Sequence, residues 1–248
     1  MSDQQTITIA ICGKGGVGKT AVSALLAKAM INSDIKPLLL IDADPAGGLV
    51  SAVGEKVDKT LTDARAKIVN SARDANDNVS RENLSNQIDY MAMEALVERK
   101  HYSLMAMGRN MEKGCFCPAN TLLRNAINVI SDQYKLTLID AEAGLEQISR
   151  QVTKKVSYYI VVVDGSERSL TTLEIIRQMV GIDNVWIINN RANGNSTGME
   201  QNILGNVFED NELRAYDQQG LSLWNLPDDN GALVACNKIV QKISSKWF

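Results

Sequence analysis

The chain has 248 residues, 45% of them apolar, with a formal net charge of −3 and a pI near 5.3. That length is enough to bury a full core and reads as one α/β domain over 1–248, and the acidic balance leaves no basic footprint for nucleic acid. No run is long enough to span a membrane, residues 1–5 lack the charged-then-apolar pattern of a signal sequence, and the four cysteines are too few for a disulfide scaffold. The expectation is a cytoplasmic protein without stable membrane association.

In chain order, an apolar strand over 6–12 runs into a glycine-rich loop, and a helix follows to about residue 32. A second buried strand over 37–41 ends in Asp42-Ala43-Asp44-Pro45. Residues 46–100 are more polar and read as the mobile segment, with helical pieces near 61–72 and 88–99. Strand 102–107 leads into a loop over 108–118 and a helix over 119–132. Strand 136–140, helix 145–155, strand 158–163, helix 168–180 and strand 185–190 continue the alternation. A short strand near 204–208 and helices near 210–218 and 230–245 end the chain. Apolar strands alternating with amphipathic helices predict a mostly parallel sheet of about seven or eight strands with helices on both faces. Ligands of such sheets bind at the carboxyl ends of the strands, so the loops after 12, 41, 107, 140, 163 and 190 share one rim.

The loop Gly13-Lys14-Gly15-Gly16-Val17-Gly18-Lys19-Thr20, opening at Ala21 into the helix, satisfies G-x-x-x-x-G-K-[ST] in its strand–loop–helix setting. Glycines let successive backbone N–H groups turn towards a phosphate chain, and the helix adds its positive end. Lys19 would reach the β- and γ-phosphates, and the Thr20 hydroxyl would ligate Mg²⁺. Asp140, closing an apolar strand, fits the Walker B aspartate of a P-loop NTPase. Asp42 and Asp44 end a strand on the same rim, where a carboxylate can activate water or hold Mg²⁺, directly or through water.

Lys14 adds a second lysine to that loop, and Lys14-Gly15-Gly16-Val17-Gly18-Lys19-Thr20 resembles the deviant Walker A of the MinD/ParA, ArsA and nitrogenase iron protein superfamily. The resemblance covers most of the chain. It implies ATP hydrolysis in a sandwich dimer, with Lys14 reaching the partner's phosphates. Asp42-Ala43-Asp44-Pro45 looks like the family's switch I, and Asp140-Ala141-Glu142-Ala143-Gly144-Leu145-Glu146 like its switch II. Carried over, Asp44 activates water, Asp140 serves Mg²⁺ and Gly144 senses the γ-phosphate. After strand 185–190, Asn193 stands where a guanine reader needs a carboxylate, which favours ATP. Asn190 matches the adenine-contacting asparagine, with Arg191 beside it and Asn189 as the competing register.

Cys115-Phe116-Cys117 distinguishes this chain. Residues i and i+2 of an extended segment point the same way, and a disulfide between them would be strained. Two thiolates make half of a tetrahedral site, which a two-fold dimer would complete with four sulfurs, suited to soft ions such as Ni²⁺ or Zn²⁺. With Met107-Gly108-Arg109 and Asn120-Thr121-Leu122-Leu123-Arg124, the segment resembles the CooC and AcsF subgroup, accessory ATPases of carbon monoxide dehydrogenase and acetyl-CoA synthase. That resemblance implies a nickel metallochaperone acting on a client enzyme. Gln147 departs from it, standing where related sequences often carry His.

Met105 and Met107, on one face of a predicted strand, read as core, as do Cys12 and Cys236, and His101 reads as a loop residue. The basic amphipathic end, 238–248, reads as a docked helix. Two other functions fit parts of the pattern: a positioning ATPase acting on membrane or DNA, and an iron–sulfur redox ATPase using four cysteines of a dimer.

Overall fold

The structure, a computed structural model, describes residues 6–74, 90–109, 125–141, 155–192 and 202–248. Its strands are β1 (Ile7–Cys12), β2 (Leu38–Asp42), β3 (Leu96–Glu98), β4 (Tyr102–Ala106), β5 (Leu136–Asp140), β6 (Tyr158–Val163), β7 (Val185–Asn190) and β8 (Ile203–Val207). They form one sheet in the order β3-β4-β2-β5-β1-β6-β7-β8. Every neighbouring pair is parallel except β3 with β4.

The central strands are apolar at almost every position because both faces are covered. Their alternation divides the side chains into two cores. Ile9, Ile11, Leu38, Leu40, Ile160 and Val162 pack on one face. There they meet α1 (Lys19–Asn32), α2 (Gly48–Val53) and the last helix, which we label α6 (Gly231–Trp247). Ala10, Cys12, Leu39, Ile41, Val161 and Val163 pack on the other. That face is covered by α3 (Leu61–Asp74), α4 (Glu167–Val180) and helical turns at 90–94 and 125–130. The remaining helix, α5 (Asn211–Gln218), starts at Asp210, whose side chain accepts the Leu213 N–H at 2.9 Å.

Two expectations are corrected. The helix expected over 88–99 ends at 94, and Leu96–Glu98 instead forms β3, an antiparallel edge strand whose register pairs Val97 with Leu104. The segment after Asp44 is also more regular than its polar composition suggests, since it holds α2, with Leu49 and Val53 buried. Within the helix expected over 119–132, residues 125–130 are helical and a 3-10 turn follows at Ser131–Gln133; 119–124 lie outside the described residues, as do 145–154 of the next expected helix.

The chain's basic end docks on the domain. Ala232, Leu233, Cys236, Ile239, Val240 and Ile243 of α6 are buried, and a Cβ on Gly205 of β8 would come within 2.8 Å of Ile239. None of the described helices is long and apolar enough to cross a membrane.

Candidate active site

The loop between β1 and α1 crosses the carboxyl end of the sheet, and two of its glycines are set by close approach. A Cβ on Gly13 would lie 2.4 Å from the Val162 carbonyl oxygen of β6. Gly18, at φ +88°, would press a Cβ to 2.4 Å from Asn190 Nδ2. Both positions therefore need glycine. The end of β7 braces the loop from the other side. Asn190 Nδ2 donates to the Val17 carbonyl at 2.7 Å, and Arg191 Nη1 donates to the Gly16 carbonyl at 3.1 Å. Lys19, nearly buried, folds back so that Nζ donates to the Lys14 carbonyl at 3.2 Å. Lys14 itself is half-buried, and Gly15 and Gly16 are exposed.

Parallel pairing of β2 with β5 puts Asp42 directly beside Asp140. Both are buried. Asp42 accepts the Asp44 N–H at 3.2 Å on Oδ1 and the Val50 N–H at 2.9 Å on Oδ2, so it shapes the turn that carries Asp44 and starts α2. Asp140 Oδ1 accepts from Ser23 Oγ at 2.9 Å, and Thr20 donates to the same carboxylate. Burial pushes the Asp42 carboxyl up to about 7; the Val50 N–H opposes that rise and the charge of Asp140 adds to it. Burial also raises Asp140, against the Thr20 and Ser23 hydrogen bonds and the Lys19 charge. Two desolvated carboxylates side by side, with a threonine hydroxyl bonded to one, form an all-oxygen donor set of the kind a hard divalent cation takes. Asp44, half-buried, stands at the mouth with its Oδ1 accepting the Ala46 N–H at 2.8 Å.

Two clefts adjoin this loop. The larger, about 590 Å³, is lined by Gly15, Gly16, Lys19, Thr20, Asp44 and Gly48 among others. The smaller, about 250 Å³, lies between α1 and the ends of β7 and β8, with Val22, Leu25, Asn190, Val207 and Phe208 in its wall. Gly18, Ala21, Arg191 and Asp217 line both. Strand alternation separates the two asparagines, because Ile187 packs on the α4 face and Ile188 on the α1 face. Asn190 therefore falls on the α1 side, in the cleft wall, and Asn189 on the other.

The site contains more than the sequence reading found. Ser23 lies three residues beyond Thr20, on the same face of α1, a spacing that could have flagged it. Phe208 and Asp217 follow β8, and no local motif marks them. Cys115, Cys117 and Gly144 lie outside the described residues. Among the described residues no three His, Cys, Asp or Glu side chains cluster as a metal site. His101 sits in the turn before β4, at the end of the sheet opposite the loop, its carbonyl accepting the Leu38 N–H at 3.2 Å. Cys12, Cys236, Met105 and Met107 are buried in the cores.

The model of the AAA domain family matches residues 4–190. The chain belongs to this family of P-loop ATPases. An uncharacterized ATP-binding protein of Methanocaldococcus jannaschii is 34% identical to it, over 97% of this chain and 99% of that protein. The carbon monoxide dehydrogenase accessory protein CooC of Rhodospirillum rubrum is 29% identical, over 88% of this chain and 89% of its own length. Among solved structures, the septum site-determining protein MinD of Pyrococcus horikoshii, complexed with Mg-ADP, superposes with a TM-score of 0.67 at 17% identity, covering 96% of this chain and 95% of that one. The chain is thus a P-loop ATPase similar to CooC, with the mostly parallel α/β fold that its strand pattern predicts and that MinD shares.

Proposed function

We propose that this ATPase is a maturation factor for a nickel enzyme of the carbon monoxide dehydrogenase or acetyl-CoA synthase type. The observation that carries the reading is Cys115-Phe116-Cys117 in a chain similar to CooC along most of its length. Residues Gly13 to Ala21 hold the phosphates through backbone N–H groups, with Lys19 on the β- and γ-phosphates. Thr20 and Asp140 hold Mg²⁺, and Asp42, whose oxygens already accept two backbone N–H groups, supports that shell through the Asp44 turn. When bound, Mg²⁺ supplies charge neutralisation on the transferring phosphoryl group. Asp44 orients and deprotonates the attacking water. Asn190 and Arg191 brace the loop and border the adenine.

Lys14 reaches the nucleotide of a second copy, so ATP favours a closed homodimer and hydrolysis releases it. The same two-fold axis pairs the two Cys115/Cys117 loops into one four-sulfur site for Ni²⁺ or Zn²⁺. A docked α6 argues against a positioning ATPase that reaches a membrane through that helix. Equilibrium dialysis against Ni²⁺ and Zn²⁺ tests the proposal. Dimer symmetry predicts about half an ion per subunit, lost in the Cys115→Ala/Cys117→Ala double variant. A double variant that binds as much metal as the parent would overturn it.

A further inference from the structure

The turn that carries Asp44 runs directly into α2, and α2 abuts the phosphate loop. The Gly47 N–H donates to the Asp44 carbonyl at 3.0 Å, and a Cβ on Gly48 would lie 3.3 Å from the Thr20 methyl. Little within α2 itself holds it there. It has six residues, no side-chain cap at its start and no acidic residue in its first turn, and a helix that short is not stable alone. Carboxylates fix its two ends instead. Asp42 accepts the Val50 N–H at 2.9 Å near the start. Glu55 follows the C-cap Gly54 and is tied down at the other end. Its Oε1 accepts from Arg99 Nε at 2.9 Å and from the Tyr102 hydroxyl at 2.6 Å, and its Oε2 accepts from Arg99 Nη2 at 2.6 Å. We infer that Glu55 is a positioning residue for ATP hydrolysis: its clasp on Arg99 and Tyr102 fixes α2, and with it the turn that holds Asp44 and the contact of Gly48 with Thr20. The inference rests on Asp44 acting on the attacking water.

Three observations support it. First, the clasp is a two-point guanidinium–carboxylate pair whose Glu55 side chain is only 13% exposed, the geometry that fixes direction as well as distance. Second, it is anchored in rigid parts of the fold. The Arg99 N–H donates to the Tyr102 carbonyl at 2.8 Å, and Tyr102 pairs with Leu38 in the sheet. The Tyr102 ring meets Trp224 edge-on at 4.9 Å, and Trp224 Nε1 donates to the Ala24 carbonyl of α1 at 2.8 Å. Glu55 is therefore held against both the sheet and the helix that bears Lys19 and Thr20. Third, α2 has no slack at this end. Gly54, at φ +76°, would press a Cβ to 2.6 Å from Ser222 Cβ. The Glu55 N–H donates to the Val50 carbonyl at 3.0 Å, while the N–H of the same Val50 is held by Asp42. One peptide residue thus joins the clasp to the carboxylate that shapes the Asp44 turn.

The test is the steady-state ATPase rate with Mg²⁺, alongside calorimetric ADP binding, for the full chain and its variants. Glu55→Gln and Arg99→Ala should each lower kcat about tenfold or more and leave ADP affinity within about twofold, because a displaced reacting group costs rate rather than ground-state binding. The double variant should be no slower than the slower single one, since both remove the same pair. Tyr102→Phe keeps the ring against Trp224 and should give a smaller loss of kcat at the parent's ADP affinity. Loss of kcat and of ADP affinity in equal measure would reduce the clasp to a structural role and overturn the inference. Parent-level kcat in Glu55→Gln, Arg99→Ala or Tyr102→Phe, with Asp44→Asn inactive, would overturn it alone. Parent-level kcat in Asp44→Asn would overturn the reading of Asp44 and, with it, the inference.

Discussion

Asp42 has no exposed surface, accepts two backbone N–H groups and lies beside a second buried carboxylate. Its ordinary value is 3.8, and burial takes it to about 7 in the folded chain. Below about pH 4 both states hold the proton. Between there and about 7 the unfolded chain releases it first, so this group's contribution to stability falls as pH rises and is fully lost above 7. At about 1.4 kcal/mol per pKa unit the loss is of the order of 4 kcal/mol. In the metal-free protein, the urea midpoint of the parent should therefore drop between about pH 4 and 7 relative to that of Asp42→Asn. Parallel pH dependence of the two would contradict this account. A carboxylate this costly in the empty protein is explained by what it organises, the turn bearing Asp44 and the oxygen shell shared with Asp140.

At the scale of elements, much of the sheet was legible because its strands are largely apolar runs, two of them ending in aspartate, Leu38–Asp42 and Leu136–Asp140. What failed was local and short. Leu96–Glu98 has only three residues, none fully buried, and its extended form depends on pairing with β4, a non-local term that overrode the helical spacing around it. α2 was hidden because its start depends on Asp42 accepting the Val50 N–H, eight residues along the chain. The end of the chain, by contrast, behaved as its amphipathic pattern required. Trp247 stacks on Tyr158 at 4.0 Å with the planes 7° apart, and meets Trp186 edge-on at 5.5 Å. Removing that ring costs the stacking and its burial, about 2 kcal/mol together. Trp247→Ala should thus lower the unfolding midpoint in urea and weaken the near-ultraviolet circular dichroism; an unchanged midpoint would mean that the end of α6 contributes nothing to the fold.

For the molecule as a whole, parallel topology gathers the glycine loop, the buried aspartates at the ends of β2 and β5 and the asparagine end of β7 onto one rim. The loop, Asp42, Asp44, Asp140 and Asn190 were readable because each sits at a strand end, where periodicity and motif coincide. Ser23, Phe208 and Asp217 were not, since they reach the site only through helix facing and chain return. The proposed maturation cycle makes nucleotide and metal sites depend on one dimer geometry, which requires reciprocal coupling between them. The most direct measurement is therefore the Ni²⁺ affinity of the parent and of Lys14→Ala, with and without a non-hydrolysable ATP analogue, with mass followed by light scattering. The account predicts that the analogue shifts Ni²⁺ affinity and doubles the mass in the parent, and does neither in Lys14→Ala. The same Ni²⁺ affinity with and without the analogue, in a parent that dimerises, would contradict it.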